Sequence, residues 1–355
     1  MTELEIFRAT VEHRRPDRFL CYADFVPDLL SRVVEHIGTD DFAAHYEMWH
    51  RPCIEPKAPA DLKPLDFSKY FQDEHFPEGT EINENGHALV PSGFYHFWGL
   101  VSPLRNAKSL KEIQEFPLRD YSSFDTSHMA DEVAAAHARG HVACGFVGHL
   151  YEFAWESRGY EEFLIDLVDR PQWAHCLLQR IADRNMFRAI ALARAGADLI
   201  FTGDDIANQN SMMFSPATWR EFIHSRWVKT WNAIKDINPG TMIWYHTDGN
   251  PIDIIPEMVD AGLDILNPVQ PECLDVAALQ KQYGKRLSFD GCIGTQSTMP
   301  WGKPADVRAR VKYLIDTIGR NGGLFISPTH ILEPEVPLEN IDALFDACKE
   351  YGQRQ

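Results

Sequence analysis

The chain has no pair of cysteines at CxxC spacing; its seven cysteines, at positions 21, 53, 144, 176, 273, 292 and 348, are scattered. An odd, unclustered set argues against a disulfide framework and a zinc ribbon, and leaves most of them as small packing residues. Basic residues are scarce too. Lys and Arg total 34 against 52 Asp and Glu, for a formal net charge of −18. Nucleic acid binding needs clustered Lys and Arg, so neither nucleic acid nor an anionic membrane is an expected partner. No apolar run approaches the length of a bilayer span. Glu3, Glu5, Arg8, Glu12, Arg14 and Arg15 stand where the apolar core of a signal peptide would lie, so a cytoplasmic protein is expected. No GxGxxG follows a first strand, which removes the usual mark of an open dinucleotide-binding sheet.

What is present is alternation. Hydrophobic residues make up 45% and charged residues 24%, an ordinary globular balance. From about Gly140, short apolar segments alternate with amphipathic ones: strands are expected at 141–148, 197–201, 241–245, 263–266, 287–289 and 324–326. Between them, Pro171 opens a helix carrying Trp173, Leu177 and Ile181, and Ser215-Pro216 opens one striped by Trp219, Ile223, Trp227 and Trp231. A further helix is expected from Asn250-Pro251, with Ile252, Ile255 and Val259 inside. Ala195-Gly196-Ala197-Asp198 and Ala261-Gly262-Leu263-Asp264 echo one another, each running from a helix end through Gly into a strand. Six βα units after residue 140 and a first strand at 19–25 give the expectation of one (β/α)8 barrel spanning residues 1–355. Residues 40–130, rich in Pro, Asp and aromatics, read as long excursions with a hairpin near 82–90; the second barrel strand has no clear place there.

In such a barrel, catalytic groups sit where strands end. These ends carry Asp204-Asp205, Tyr245-His246-Thr247-Asp248, Asn267-Pro268-Val269-Gln270, Asp290 and Thr329-His330. His246, Asp248 and His330 could supply three ligands to a zinc ion with an open fourth position, or form a hydrogen-bonded network that orients a substrate without metal. Asp205 is a candidate catalytic base, and Asp204 a candidate substrate contact or helix cap, since adjacent strand residues face opposite ways. Tyr245, Gln270, Glu152 and Trp155 are candidate substrate-binding residues. Cys292 lacks a basic neighbour in sequence and reads as packing. The run Gly93-Phe94-Tyr95-His96-Phe97-Trp98-Gly99 could line an aromatic pocket or pack in the core.

The runs GADLIFTGDD (196–205), SPATWREF (215–222), YHTDGN (245–250), DILNPVQP (264–271) and PTHILEPEVPLENIDAL (328–344) resemble the uroporphyrinogen decarboxylase superfamily. The resemblance implies a (β/α)8 barrel, commonly dimeric, in a group that includes porphyrinogen decarboxylases and corrinoid-dependent methyltransferases. The decarboxylases carry an early arginine-rich segment; here the first strand reads Cys21-Tyr22-Ala23-Asp24-Phe25. The thiol-activating methyltransferases carry His-x-Cys on the fifth strand and a Cys on the eighth; here His246 matches the His, while Asp248 and His330 stand at the cysteine positions. The acidic ligand implied after the sixth strand falls near Val269 or Gln270 and is not evident. A carboxylate and imidazoles make a harder zinc site than thiolates. The expectation is therefore zinc-assisted demethylation of a small O- or N-methylated compound, with a corrinoid carried on a separate partner protein. The alternative is a metal-free decarboxylase acting through His330 and Asp205.

Overall fold

The computed structural model describes residues 1–93 and 96–353. The first strands of the chain form an antiparallel meander of β1 (Glu81–Ile82), β2 (Ala88–Pro91) and β3 (Trp98–Val101), after helices at Glu3–Val11, Pro27–Ile37 and Phe42–His45. The centre is a parallel sheet in sequence order, β4 (Cys144–His149), β5 (Leu199–Gly203), β6 (Met242–His246), β7 (Ile265–Asn267) and β8 (Ser288–Phe289). Beyond its edges the backbone bonding continues. Phe289 bridges Leu324, Ile326 N–H donates to Leu20 at 3.0 Å, and Tyr22 N–H to Ile326 at 3.1 Å. Trp49 N–H then reaches Cys21 O at 3.3 Å, and Cys144 N–H reaches Pro52 O at 3.0 Å. The segment 49–54 is thus the neighbour of β4 that the sequence did not reveal. Its order, Trp-His-Arg-Pro-Cys-Ile, has no period-two pattern, and Pro52 lacks a donor.

The echoed junctions have one shared physical role. Gly196 closes the helix Pro171–Ala195 in the left-handed conformation at φ 88°, and Gly262 turns at φ 102°. Each following Asp reaches back to the start of the preceding strand segment. Asp198 accepts from Ala143 N–H at 2.9 Å, and Asp264 from Ile243 N–H at 2.7 Å. His137 and Lys235 complete the two pairs at 2.7 and 2.6 Å. These carboxylates stitch neighbouring βα units together at the end of the sheet opposite the candidate site.

The Trp219–Trp231 stripe is buried throughout, on a helix that runs from Pro216 to Ile237 through a π turn at Arg220–His224. Two expectations need correction. Pro251 lies in a turn closed by Ile254 N–H to Pro251 O at 3.0 Å; the helix runs Ile255–Asp260, leaving Ile252 exposed outside it. The other concerns the aromatic run: Phe97 and Trp98 are exposed rather than in the core, with the Phe97 ring 4.4 Å from that of His96, while Phe94 and Tyr95 lie outside the described residues. The expected hairpin is present as β1 paired with β2, and β3 extends it to three strands.

Replacing Asp198 with Ala leaves the buried Ala143 amide without its acceptor and is expected to lower stability by about 2 kcal/mol. Asp198→Asn keeps an acceptor oxygen and is expected to cost less. Urea unfolding midpoints measure both; equal losses would mean the carboxylate oxygen is not what joins the two units.

Candidate functional site

Period-two alternation places the site. On β6, Ile243 and Tyr245 turn outward to the helices, whereas Trp244 and His246 line the central cavity. Tyr245 packs edge-on against Trp227 and Trp231, with ring centres 6.0 and 5.7 Å away, and does not face the cavity. Asp204 and Asp205 also divide. Asp204 is fully buried and accepts from the backbone N–H groups of Leu150, Tyr151 and Glu152 at 2.7, 2.5 and 3.2 Å, and from Trp227 Nε1 at 2.8 Å. It caps the helix Tyr151–Arg158. Burial pushes its carboxyl up to about 7, against the opposing pull of charged His149 and these donors. Asp205 faces the cavity.

The cavity has a volume of about 680 Å³. Ligand atoms of Asp205, His246 and Asp248 all lie within 4.8 Å of one another. His246 Nδ1 meets Asn267 Oδ1 at 2.8 Å, and Asn267 Nδ2 in turn donates to Asp290 at 3.0 Å. An amide oxygen only accepts, so Nδ1 carries the proton and Nε2 presents its lone pair. That nitrogen lies 3.6 Å from Asp205 Oδ1. Two donors on a tetrahedral zinc at ordinary bond lengths are roughly 3.3 Å apart, so this is ligand-to-ligand spacing rather than a hydrogen bond. Asp205 Oδ1 also accepts from Asp248 N–H at 2.8 Å, which ties the loops after β5 and β6. Burial raises the Asp248 carboxyl; His246 and His330 oppose that shift, and Asp205 adds to it. The donor set fits a divalent cation: one imidazole with its tautomer fixed by an outer partner, and two carboxylates that lose their mutual repulsion on binding. His330 stands exposed at the cavity rim, its ring centre 6.5 Å from that of His246, and is not in the three-residue cluster.

Glu152 reaches the cavity from its helix. Its Oε2 lies 2.6 Å from His149 Nδ1 and accepts from Asp205 N–H at 3.1 Å. Burial works against charge on His149, but Glu152, Asp204 and Asp205 outweigh it and raise the imidazole to about 9. Gln270 is buried, with its Oε1 accepting from Gly249 N–H at 3.0 Å; it shapes the loop that carries Asp248. Trp155 packs edge-on against Tyr160 and is not among the cavity residues. Cys292 is fully buried, which raises its thiol to about 12. Asn267 and Asp290 stood among the polar strand ends of the sequence without a role, whereas His149, the last residue of β4, and Arg51 were missed. That guanidinium sits in the cavity 3.7 Å from the centre of the Tyr22 ring, on the segment whose strand pairing the sequence hides.

The family model described as Uroporphyrinogen decarboxylase (URO-D) matches residues 149–351, and the chain belongs to that family. It is 32% identical over 164 residues to the methylcobamide:CoM methyltransferase MtaA of Methanosarcina barkeri, covering 46% of this chain and 44% of that protein. The chain thus matches less than half the length of that relative. To the uroporphyrinogen decarboxylase of Nostoc punctiforme it is 24% identical over 291 residues, covering 74% of this chain and 79% of the relative. A methyltransferase from Methanosarcina mazei has the same fold, with a TM-score of 0.65 at 18% identity and 99% coverage of both chains. No helix among the described residues is long and apolar enough to cross a membrane.

The His149–Glu152 pair has a direct readout. With a folded pKa of about 9 against an ordinary 6.5, the pair stabilises the fold fully below about pH 6.5, and its contribution fades as pH rises through about 9. In Glu152→Gln the main partner opposing burial is gone, and the imidazole pKa is expected to fall, with only Asp204 and Asp205 still holding it up. Nitrogen-15 NMR titration of His149 is expected to show the high pKa only in the wild type.

Proposed function

We propose that the chain forms a single closed (β/α)8 barrel and acts as a methyltransferase, demethylating a small O- or N-methylated compound in a zinc-assisted reaction. The methyl acceptor in this reading is a corrinoid on a separate protein, and the expected assembly is a homodimer. The observation that supports it most is the free Nε2 of His246 at ligand spacing from Asp205, with the Asn267–Asp290 relay behind it. His246, Asp205 and Asp248 would hold the zinc, so Asp205 takes the ligand position that the sequence reading gave to His330, beside His246 and Asp248. A zinc ion held there supplies Lewis acidity toward the oxygen or nitrogen that bears the methyl group. Trp244, stacked on His246 at 5.7 Å between ring centres, fixes the ring plane. Phe146 and Phe201 give the cavity apolar walls that exclude water from the reacting bond. His330, at the rim, would donate a proton to the departing oxygen or nitrogen.

A second reading, a metal-free decarboxylase, is favoured by Arg51: a guanidinium stacked on Tyr22 inside the cavity suits a substrate carboxylate. One assay separates the two. Purified protein is given cob(I)alamin under reducing conditions, with panels of methoxylated aromatics and methylamines, and both methylcobalamin and CO2 are followed. Methylcobalamin formation is expected, falling to background in His246→Ala and by roughly 10–100-fold in Asn267→Ala, which removes only the outer partner. CO2 release without methyl transfer would put the decarboxylase reading first.

A further inference from the structure

A second cavity, of about 430 Å³, adjoins the first and shares Phe146 and His149 with it. Its wall holds three arginines, Arg119, Arg184 and Arg188, in a protein with an excess of 18 negative charges. Each guanidinium is anchored by a neutral acceptor. Arg119 donates to Lys63 O at 3.1 Å, Arg184 to Asn85 Oδ1 at 3.2 Å and Arg188 to Val147 O at 3.3 Å. A guanidinium has five N–H donors, so these single bonds leave most of each fork unused. Arg184 is the most exceptional. It stacks 4.0 Å above the Phe153 ring centre, and its Nε is buried without a hydrogen-bond partner among the described residues. Burial lowers its guanidinium to about 10, with Tyr121 and Glu84 opposing and Arg188 adding to the shift. A buried donor without a partner is costly, and a buried cation without a counter-charge more so.

The carboxylates around this cavity do not fill that role. Glu55 is 3.9 Å from Arg188 and exposed, and Glu84 is exposed too. Glu156 also faces the cavity, but its carboxylate lies 3.5 Å from His87 Nδ1, and burial beside Glu152 raises it to about 7. We infer that the cavity formed by Arg119, Arg184 and Arg188 is an oxyanion subsite, which takes the carboxylate or phosphate of a small ligand whose body extends past Phe146 toward the main cavity. Planar forks match such groups bidentately, and Phe146 and Phe153 offer an apolar surface to the rest of the ligand. The inference concerns binding alone and stands apart from the reaction at His246.

The test is calorimetric titration of the full chain at fixed ionic strength in chloride, with inorganic phosphate and with phenyl phosphate as probes. Phosphate is expected to bind the wild type and to weaken at least about tenfold in both Arg184→Gln and Arg188→Gln. His246→Ala is expected to keep the phosphate affinity, which separates this subsite from an anion bound at the metal cluster. Arg188, less deeply set, guards against a folding failure of Arg184→Gln, and melting temperatures in chloride report that directly. Tighter binding of phenyl phosphate than of phosphate assigns the site to an organic ligand's anionic end, and equal binding to a free anion. Equal phosphate affinity in the wild type and both arginine variants would overturn the inference, as would an affinity lost only in His246→Ala.

Discussion

The Asp290 carboxylate sets the chemistry of the whole cavity, although it is not itself among the clustered ligand atoms. Buried at the end of β8, it accepts from Asn267 Nδ2 and Trp244 Nε1, each at 3.0 Å, and from Ser327 Oγ at 2.7 Å. One side chain thus fixes the ends of β6 and β7 and the segment leading to His330. Through Asn267 it also decides which nitrogen of His246 carries the proton. Were the Asn267 amide turned over, its nitrogen would face Nδ1 and the imidazole would present the wrong tautomer. Asp290 prevents this because a carboxylate only accepts, which commits the amide nitrogen to it.

A second network approaches from the other side. Asp204 caps the helix that carries Glu152, Glu152 fixes His149 and the Asp205 backbone, and Asp205 holds the Asp248 N–H. The two networks meet at the gap between His246 Nε2 and Asp205 Oδ1. Acidic groups therefore crowd the cavity while sharing few fixed cations, and a divalent ion is the simplest counter-charge for that arrangement.

Much of this was legible in the sequence because it follows from periodicity. The alternation after Gly140, the Gly-x-Asp echo and the polar strand ends placed five central strands and put His246 and Asp248 together. Choosing among strand-end residues needed more than spacing. Tyr245 and Asp204 are polar and at the right ends, yet each turns away by one step of the strand period and is enclosed by tryptophans or by a helix start. Asp205 and His330 differ in the opposite sense: Asp205 joins the cluster through a backbone hydrogen bond across two loops, which no local motif records. Arg51 and the bridged segment that carries it were hidden because Pro52 and the lack of alternation erase any strand signal, and the arginine cavity draws on segments far apart in sequence.

The most direct measurement is X-ray absorption at the zinc edge on protein purified without chelator, with metal content counted on the same sample. The account predicts about one zinc per chain, with a first shell of one imidazole nitrogen and oxygen donors, no sulfur, and loss of the ion in His246→Ala. A folded wild type that binds no metal when zinc is supplied, or a shell containing sulfur, would contradict it.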